Sequence, residues 1–180
     1  MESDEALYLK LKGGDLAAFD RLYETYKRPL FGFLVRMLGA GADAEDALHE
    51  TFLRAVKAKE ADLRAEGTFR AWMFRIARNV ALNSVRSQKV VEATRAAAPP
   101  PPEPLLADER LDGARMERAL DRAVAALPSP LAEVYHLRAS GLTLEEMARV
   151  VDVPLGTMKS RVRLMIDRLR EELLPWIANG

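Results

Sequence analysis

Apolar residues recur at the spacing of an α-helix along most of this chain. The clearest case is the stretch 68–89, TFRAWMFRIARNVALNSVRSQK, which Thr68 can cap through its hydroxyl. At about 100° per residue, one face of this helix collects Phe69, Trp72, Met73, Ile76 and Val80. No stretch alternates convincingly between apolar and polar residues at the period of two that marks a strand. The pattern predicts an all-α protein.

Further helices are predicted ahead of this stretch. A short one covers 6–12, and Asp15 can cap a second one that meets Pro29, where we expect a kink or a junction between two helices. Another would begin at Asp43, with Asp46 three residues later as a short variant of the capping box. Its inner face is predicted to contain Ala47, Phe52 and Val56.

The proline-rich run AAAPPPPEP at 96–104 separates two helical groups. Such a sequence cannot form a packed helix and favours an extended polyproline spacer. We therefore predict two small helical domains joined by a flexible proline-rich linker. Their bounds are 1–90 for the N-terminal domain, 91–110 for the linker and 111–180 for the C-terminal domain. In the C-terminal domain, helices are predicted at 111–127 and from a Ser129-Pro130 cap onward.

The C-terminal domain also contains a predicted helix-turn-helix. Thr143 and Glu146 form a capping box, and Leu142 with Met147 occupy the two positions of a hydrophobic staple. After a tight turn, Pro154 can take the first position of the next helix. In such a motif the early residues of the second helix enter the major groove, where they bind phosphates and bases. Here these residues are Thr157, Lys159, Ser160, Arg161 and Arg163.

Charge is segregated along the chain although the formal net charge is zero. The stretch 64–95 contains the basic residues Arg64, Arg70, Arg75, Arg78, Arg86, Lys89 and Arg95 against only Glu66 and Glu92, whereas 43–62 is mainly acidic. Any basic surface must therefore come from local clustering. Neighbouring surfaces of opposite sign predict two different partners.

Composition narrows the class of protein further. A chain of 180 residues that is 49% hydrophobic can form folded cores. The absence of cysteine excludes a disulfide scaffold, a thiolate zinc site and a cysteine nucleophile. The N-terminal segment lacks the apolar core of a signal peptide or a membrane span, so we expect a cytoplasmic protein without membrane insertion.

Several short motifs match one family in order and spacing. In the N-terminal half these are AFDRLY at 18–23, DAED at 43–46, ETFLRA at 50–55 and FRAWMFRIARN at 69–79. In the C-terminal half they are LP at 127–128, GLTLEEMA at 141–148 and PLGTMKSR at 154–161. On these motifs the chain resembles the sigma-70 family of bacterial RNA polymerase sigma factors, in the small extracytoplasmic-function (ECF) class. The similarity covers most of the chain outside the linker.

The resemblance implies a division of labour. The acidic helix would dock on the clamp helices of the largest subunit of core RNA polymerase, through Asp46, His49, Glu50, Phe52 and Leu53. The 68–89 helix and the loop before it would melt and read the minus-ten element as a single strand, with a flipped base near Asn79 and Asn83. The residues implied there are Leu63, Arg64, Trp72, Arg75, Arg78, Asn79, Asn83 and Arg86. The helix-turn-helix would read the minus-thirty-five element as duplex DNA, and an anti-sigma factor would be a further partner.

The chain departs from the family pattern at two places. The loop 61–67 lacks the usual aromatic-Arg-Gly sequence, with Leu63 near the aromatic position. Leu164 and Ile166 stand where the family often has arginines, so fewer phosphate contacts are expected there.

Two other classes of function fit parts of the chain. A helix-turn-helix transcriptional regulator without sigma activity would explain the C-terminal half, but it leaves 69–83 and the acidic helix without a role. A di-iron helical enzyme is suggested by two carboxylate and histidine pairs at i and i+3, which are Asp46 with His49 and Glu133 with His136. That site requires two more inward-facing glutamates. The sigma-factor interpretation explains both halves and implies no catalytic residue, cofactor or metal.

Overall fold

The computed structural model describes residues 2–39, 41–59, 67–94 and 111–177. All regular secondary structure in these ranges is helical. The helices of the N-terminal half are α1 (Asp4–Lys12), α2 (Leu16–Leu38), α3 (Ala42–Lys57) and α4 (Phe69–Thr94). Those of the C-terminal half are α5 (Leu111–Ala125), α6 (Ser129–Ala139), α7 (Leu144–Val151) and α8 (Leu155–Ile177). The predicted all-α class is confirmed.

Most helix starts follow from local sequence. The Asp15 side chain accepts hydrogen bonds from the N–H groups of Ala17 and Ala18 at 3.0 and 3.3 Å, as its position before α2 predicted. The α2 helix continues through Pro29 as one helix, so Pro29 does not mark a junction between two helices. Ser3 caps α1 by accepting from the Ala6 N–H at 3.2 Å.

Four predicted helix starts are wrong by one or two residues, and the first is that of α1, which begins at Asp4 and not at residue 6. α3 begins at Ala42 behind Gly41, whose φ of 126° favours glycine, and Asp43 therefore lies in the first turn instead of capping it. α6 begins at Ser129 with Pro128 before it and no side-chain cap. Pro154 precedes α8, and its carbonyl accepts from the Met158 N–H at 3.0 Å.

The start of α4 is fixed from two sides. The Thr68 hydroxyl accepts from the Ala71 N–H at 3.1 Å, which confirms the predicted cap. The Glu5 carboxylate of α1 accepts from the Phe69 N–H at 2.9 Å, a contact that the sequence did not predict. This hydrogen bond lowers the pKa of the Glu5 carboxyl below its ordinary value, although partial burial acts in the opposite direction. The first helix of the chain thereby positions the fourth.

Aromatic rings form the centre of the N-terminal half. Trp72 of α4 meets Tyr8 of α1 edge to face, with ring centroids 5.0 Å apart, and Phe69 packs against Tyr26 of α2 at 5.3 Å. The Tyr8 hydroxyl donates to the Ala55 carbonyl on α3 at 3.2 Å. On α3, Val56 is 39% exposed, so the prediction that it faces inward is wrong. These contacts bind α1, α2 and α3 around one face of α4.

The helix-turn-helix forms as predicted. Thr143 and Glu146 make both hydrogen bonds of the capping box, and Leu142 and Met147 are fully buried beside it. Asp152 ends α7 in the left-handed conformation, with φ of 59°. From there the chain turns directly into α8.

The two halves pack against each other. α4 contacts α7, α2 contacts α6, and the buried side chains of both halves form one continuous core. α4 continues to Thr94, so 91–94 is helical where the sequence predicted linker. The rest of the predicted linker, 95–110, lies outside the described residues.

Candidate nucleic-acid interface

Most of the predicted minus-ten residues lie on α4, apart from Leu63 and Arg64, which are outside the described residues. Asn79, Asn83 and Arg86 are exposed along the middle of this helix. Amide and guanidinium groups at such positions can hydrogen-bond base edges and phosphates. Arg75, in contrast, is partly buried. Of the predicted minus-ten residues on α4, the exposed ones are therefore Asn79, Asn83 and Arg86.

Trp72 does not face solvent in this structure. Its side chain is 4% exposed and packs between Tyr8 and Phe69, with ring centroids 5.0 and 5.6 Å away. The sequence analysis placed Trp72 both on the packed face of the helix and among the minus-ten residues. In this structure it lies on the packed face. Its role in this conformation is to hold α4 on α1.

Arg78 is bound by a carboxylate from the other half of the chain. Its guanidinium donates through Nε and Nη2 to the two carboxylate oxygens of Glu133 on α6, the second at 3.2 Å. The side chains of Arg78 and Glu133 are only 21% and 11% exposed. A two-point pair of this kind is among the stronger side-chain contacts in proteins.

Sequence reasoning missed the role of Glu133, although one signal pointed to it. Glu133 lies on α6 beside Leu131, Val134 and Leu137, all of which are buried. A carboxylate on a buried helix face needs a cation or several donors as partners. The pattern could have indicated that α6 packs against a basic surface.

Two more arginines of the N-terminal half reach the end of α6. Arg70 donates to the Ser140 carbonyl at 2.9 Å, and Arg36 donates to the Ser140 hydroxyl at 2.6 Å. Burial lowers the pKa of the Arg36 guanidinium from its ordinary value. Together with Arg78, these contacts join α2 and α4 to α6 through polar groups.

A cavity of about 580 Å³ lies at this junction. Its lining includes apolar groups such as Leu82 and Val85 beside Arg78, Glu133, His136 and Arg161. The buried Nδ1 atom of His136 has no hydrogen-bond partner among the described residues. Burial, and secondly the charge of Arg36, lower the pKa of His136 to about 4. The imidazole is therefore neutral at neutral pH.

The predicted minus-thirty-five residues occupy the first turns of α8. Thr157, Lys159, Ser160 and Arg163 are exposed, whereas Arg161 is partly buried and lines the cavity. The two positions where the family often has arginine, Leu164 and Ile166, are 49% and 39% exposed. One side of α8 is thus available to duplex DNA, and one of its predicted contacts turns toward the N-terminal half.

The predicted polymerase-binding residues divide between the surface and the core of α3. Asp46, His49 and Leu53 are exposed, and Leu53 presents 52% of its area to solvent. Glu50 accepts from Arg54 Nε at 2.7 Å on the same helix. Phe52 is 7% exposed and packs against Tyr23, with ring centroids 4.8 Å apart. Phe52 therefore anchors α3, and the other residues form its outer side.

The histidine pairs considered for a di-iron site do not come together. Asp46 and His49 are exposed on α3, and Glu133 is engaged by Arg78. Among the described residues, no group of three or more potential metal ligands is present. Of the described helices, none is both long and apolar enough to cross a membrane.

Comparison with known families matches both halves of the chain. The model described as Sigma-70 region 2 matches residues 22–90, and the model described as Sigma-70, region 4 matches residues 117–169. The ECF RNA polymerase sigma-E factor of Haemophilus influenzae is 27% identical over an alignment of 192 positions, gaps included, and the alignment covers 96% of each chain. The RNA polymerase sigma-H factor of Pseudomonas aeruginosa is 28% identical over an alignment of 193 positions, which again covers 96% of each chain.

Solved structures share the fold. CnrH in complex with the cytosolic domain of CnrY matches with a TM-score of 0.69 and 22% identity, over 96% of this chain and 97% of that one. The sigma factor RpoE in complex with the anti-sigma factor NepR from Bartonella quintana matches with a TM-score of 0.62 and 24% identity. That match covers 86% of this chain and 96% of RpoE.

Proposed function

Because the chain belongs to the sigma-70 family, in its ECF class, we propose that it binds core RNA polymerase and directs it to specific promoters. The observation that carries this proposal is the presence of both sigma regions in one chain, which matches an ECF sigma-E factor over 96% of each chain. A helix-turn-helix regulator would need only the second region. The first region, with α3 and α4, has no role in that alternative.

The C-terminal half would read the minus-thirty-five element as duplex DNA. The exposed Thr157, Lys159, Ser160 and Arg163 lie at the start of the second helix of a helix-turn-helix, which is the part that enters the major groove. Arginine can bind guanine at two points, and lysine and hydroxyl side chains hold phosphates. Arg161 would join this set when it leaves the cavity at the junction of the halves.

The N-terminal half would open and read the minus-ten element. Asn79, Asn83 and Arg86 form an exposed polar row on α4 that can take an extruded base and its phosphates. Leu63 and Arg64 would complete this site from the preceding loop. Trp72 would support it from beneath, because its ring is packed against Tyr8.

The outer side of α3 would dock on the clamp helices of the largest polymerase subunit. Asp46 and Glu50 supply negative charge, and the exposed Leu53 supplies an apolar contact at the centre. Charge would guide the encounter, while burial of the leucine would contribute affinity. Phe52 would fix the orientation of the helix from the core side.

Further parts of the proposal follow from the sigma class. The chain would act in the cytoplasm with the polymerase, which performs the chemistry, so the chain itself would need no catalytic residue or cofactor. The functional domains would be 1–90 and 111–180, with 91–110 between them. An anti-sigma protein would be a further partner, as NepR is for RpoE, whose fold this chain shares.

The test is in vitro transcription with purified core polymerase on a pool of templates with randomised upstream sequence. The chain should yield transcripts that start at fixed positions and share two sequence blocks, which core polymerase alone does not produce. If the chain binds duplex DNA but never directs initiation from any template, the regulator alternative replaces this proposal.

A further inference from the structure

The packed side of α8 defines where its outer side lies. Met158 and Met165 hold the helix on the core and are 0% and 4% exposed, and Leu169 is partly buried beside them. At about 100° per residue, the line through Ser160 lies about 140–180° around the helix from these three side chains. The outer side of α8 is therefore centred near Ser160.

Leu164 lies on this outer side, among the side chains that would bind duplex DNA. It follows Ser160 by about one turn, about 40° around the helix and about 6 Å along it, and it falls within about 20° of Thr157. Leu164 is 49% exposed. Further along the same side the exposed residues are Asp167 and Glu171, whose negative charge disfavours contact with phosphates. Leu164 is thus the last residue of the outer side before that side becomes acidic.

Two other large apolar side chains are exposed on α8, but they lie elsewhere. Ile166 is 39% exposed and is about 120° around the helix from Ser160. Leu174 is 59% exposed and lies about 15 Å further along the axis than Leu164, past the acidic side chains. In the part of α8 that the structure describes, Leu164 is therefore the one exposed large apolar side chain beside the predicted DNA contacts.

A leucine among basic and hydroxyl side chains changes which base can be bound. It has no donor for the O6 and N7 atoms of guanine, and no acceptor for the amino groups of adenine and cytosine. Of the four bases, thymine alone presents an apolar group in the major groove, its C5 methyl. Contact between this methyl group and a leucine removes apolar surface of both from water. Thymine is therefore the base that gains most from contact with a leucine.

We propose that Leu164 reads the C5 methyl group of a thymine in the minus-thirty-five element. The inference rests on the proposed function, because it places the outer side of α8 in the major groove. The axial separation of about 6 Å from Ser160 corresponds to about two base pairs at about 3.4 Å each, so the thymine lies within that distance of the Ser160 contact. An arginine at this position would instead bind guanine or a phosphate.

Uracil is the probe for this contact, because it pairs as thymine does and lacks the C5 methyl group. The minus-thirty-five block is first identified from the pool of templates with randomised upstream sequence. Each thymine of the block is then replaced in turn by uracil, and binding of each template by the chain loaded on core polymerase is measured. Burial of one methyl group corresponds to about a fourfold change in affinity, so one of these replacements should weaken binding about fourfold.

Variants of α8 assign the methyl effect to one side chain. Leu164→Ala should bind the thymine and uracil templates equally, whereas Leu164→Met should keep most of the difference because its side chain is apolar and of similar volume. Ile166→Ala is the matched control, since it shortens an exposed aliphatic side chain on a different side of the same helix and should keep the full difference. Circular dichroism shows whether each variant remains helical. If Leu164→Ala does not fold, Leu164→Gln takes its place, because glutamine keeps the length of the side chain.

Equal affinity of the parent chain for every thymine and uracil template would overturn the inference, and so would a difference that persists in folded Leu164→Ala. Weaker binding of Leu164→Ala to core polymerase with an unchanged methyl effect would also overturn it, by assigning the leucine to a protein contact. These results leave initiation by the parent chain, and with it the proposed function, intact. If the chain directs no initiation on any template, the proposed function fails. The same comparison on duplexes selected with the chain alone then decides whether Leu164 reads thymine.

Discussion

The packing of the two halves predicts a depressed pKa for one histidine. Its Nδ1 atom is buried without a hydrogen-bond partner in the part of the chain that the structure describes, and the pKa of His136 is about 4, against an ordinary value of 6.5. The charge of Arg36 on α2 acts on it, and Arg78 on α4, Glu133 on its own helix α6 and Arg161 on α8 line the same cavity. Burial is the main cause of the shift and the charge of Arg36 the second. Because Arg36 and part of the cavity lining belong to the N-terminal half, we expect the pKa of His136 to depend on contact between the halves.

The shift has a defined effect on stability. Between about pH 6.5 and 4 the unfolded chain protonates His136 and the folded chain does not, so the free energy of unfolding falls as the pH is lowered through this window. Above pH 6.5 the residue has no effect, and below pH 4 the full loss is reached. One pKa unit corresponds to about 1.4 kcal/mol, but the imidazole is only partly buried and water screens part of the cost. We expect a total loss of about 1–2 kcal/mol from this residue.

The assay combines NMR titration with urea unfolding. The chain has two histidines, and a His49→Gln variant assigns the imidazole signals. Between pH 7.5 and pH 4.5, the free energy of unfolding of the parent chain should fall by about 1–2 kcal/mol more than that of His136→Gln, which has no imidazole at this position. A His136 signal that titrates near 6.5, or equal losses in both proteins, would refute burial of this side chain between the halves.

Two further predictions concern the core and the partner surfaces. Trp72→Ala should lower the free energy of unfolding by about 3–5 kcal/mol, because it removes the ring that joins α4 to Tyr8; a loss below about 1 kcal/mol in urea unfolding would contradict its core position. Replacing Asp46 and Glu50 by alanine should weaken binding to core polymerase roughly 3- to 30-fold by fluorescence anisotropy without altering duplex binding. Replacing Lys159 and Arg163 by alanine should weaken duplex binding without altering polymerase binding, and it should reduce the slope of DNA affinity against salt concentration by about 2. Equal loss of binding to polymerase and to DNA in either variant would indicate misfolding.

Local sequence predicted the helices and much of the helix-turn-helix because their signals act over a few residues. The Thr143 capping box and the Asp15 cap each depend on groups two or three positions apart. The starts of α3 and α6 were wrong where a neighbouring Gly41 or Pro128 took the position before the helix. Patterns of period 3.6 indicate which face packs, but they do not indicate what it packs against.

The relative placement of the two halves could not be predicted in this way. The Glu5 contact at the start of α4 spans 64 positions, and the Arg78–Glu133 pair spans 55. Each depends on the path of the intervening chain, which helical periodicity does not encode. A carboxylate among the apolar residues of α6 was the one local sign that a cation would meet it.

Helical geometry explains why the predicted minus-ten residues of α4 have such different environments. At about 100° per residue, Trp72, Asn79, Asn83 and Arg86 fall within about 40° of one line along the helix, whereas Arg78 lies about 120° away. α1 covers the start of that line, so Trp72 is buried beneath Tyr8 while Asn79 and Asn83 are exposed. Arg78 faces α6 from a different side and meets Glu133 there. The same helix thus exposes its polar row on one side while a separate side of it packs against the other half of the chain.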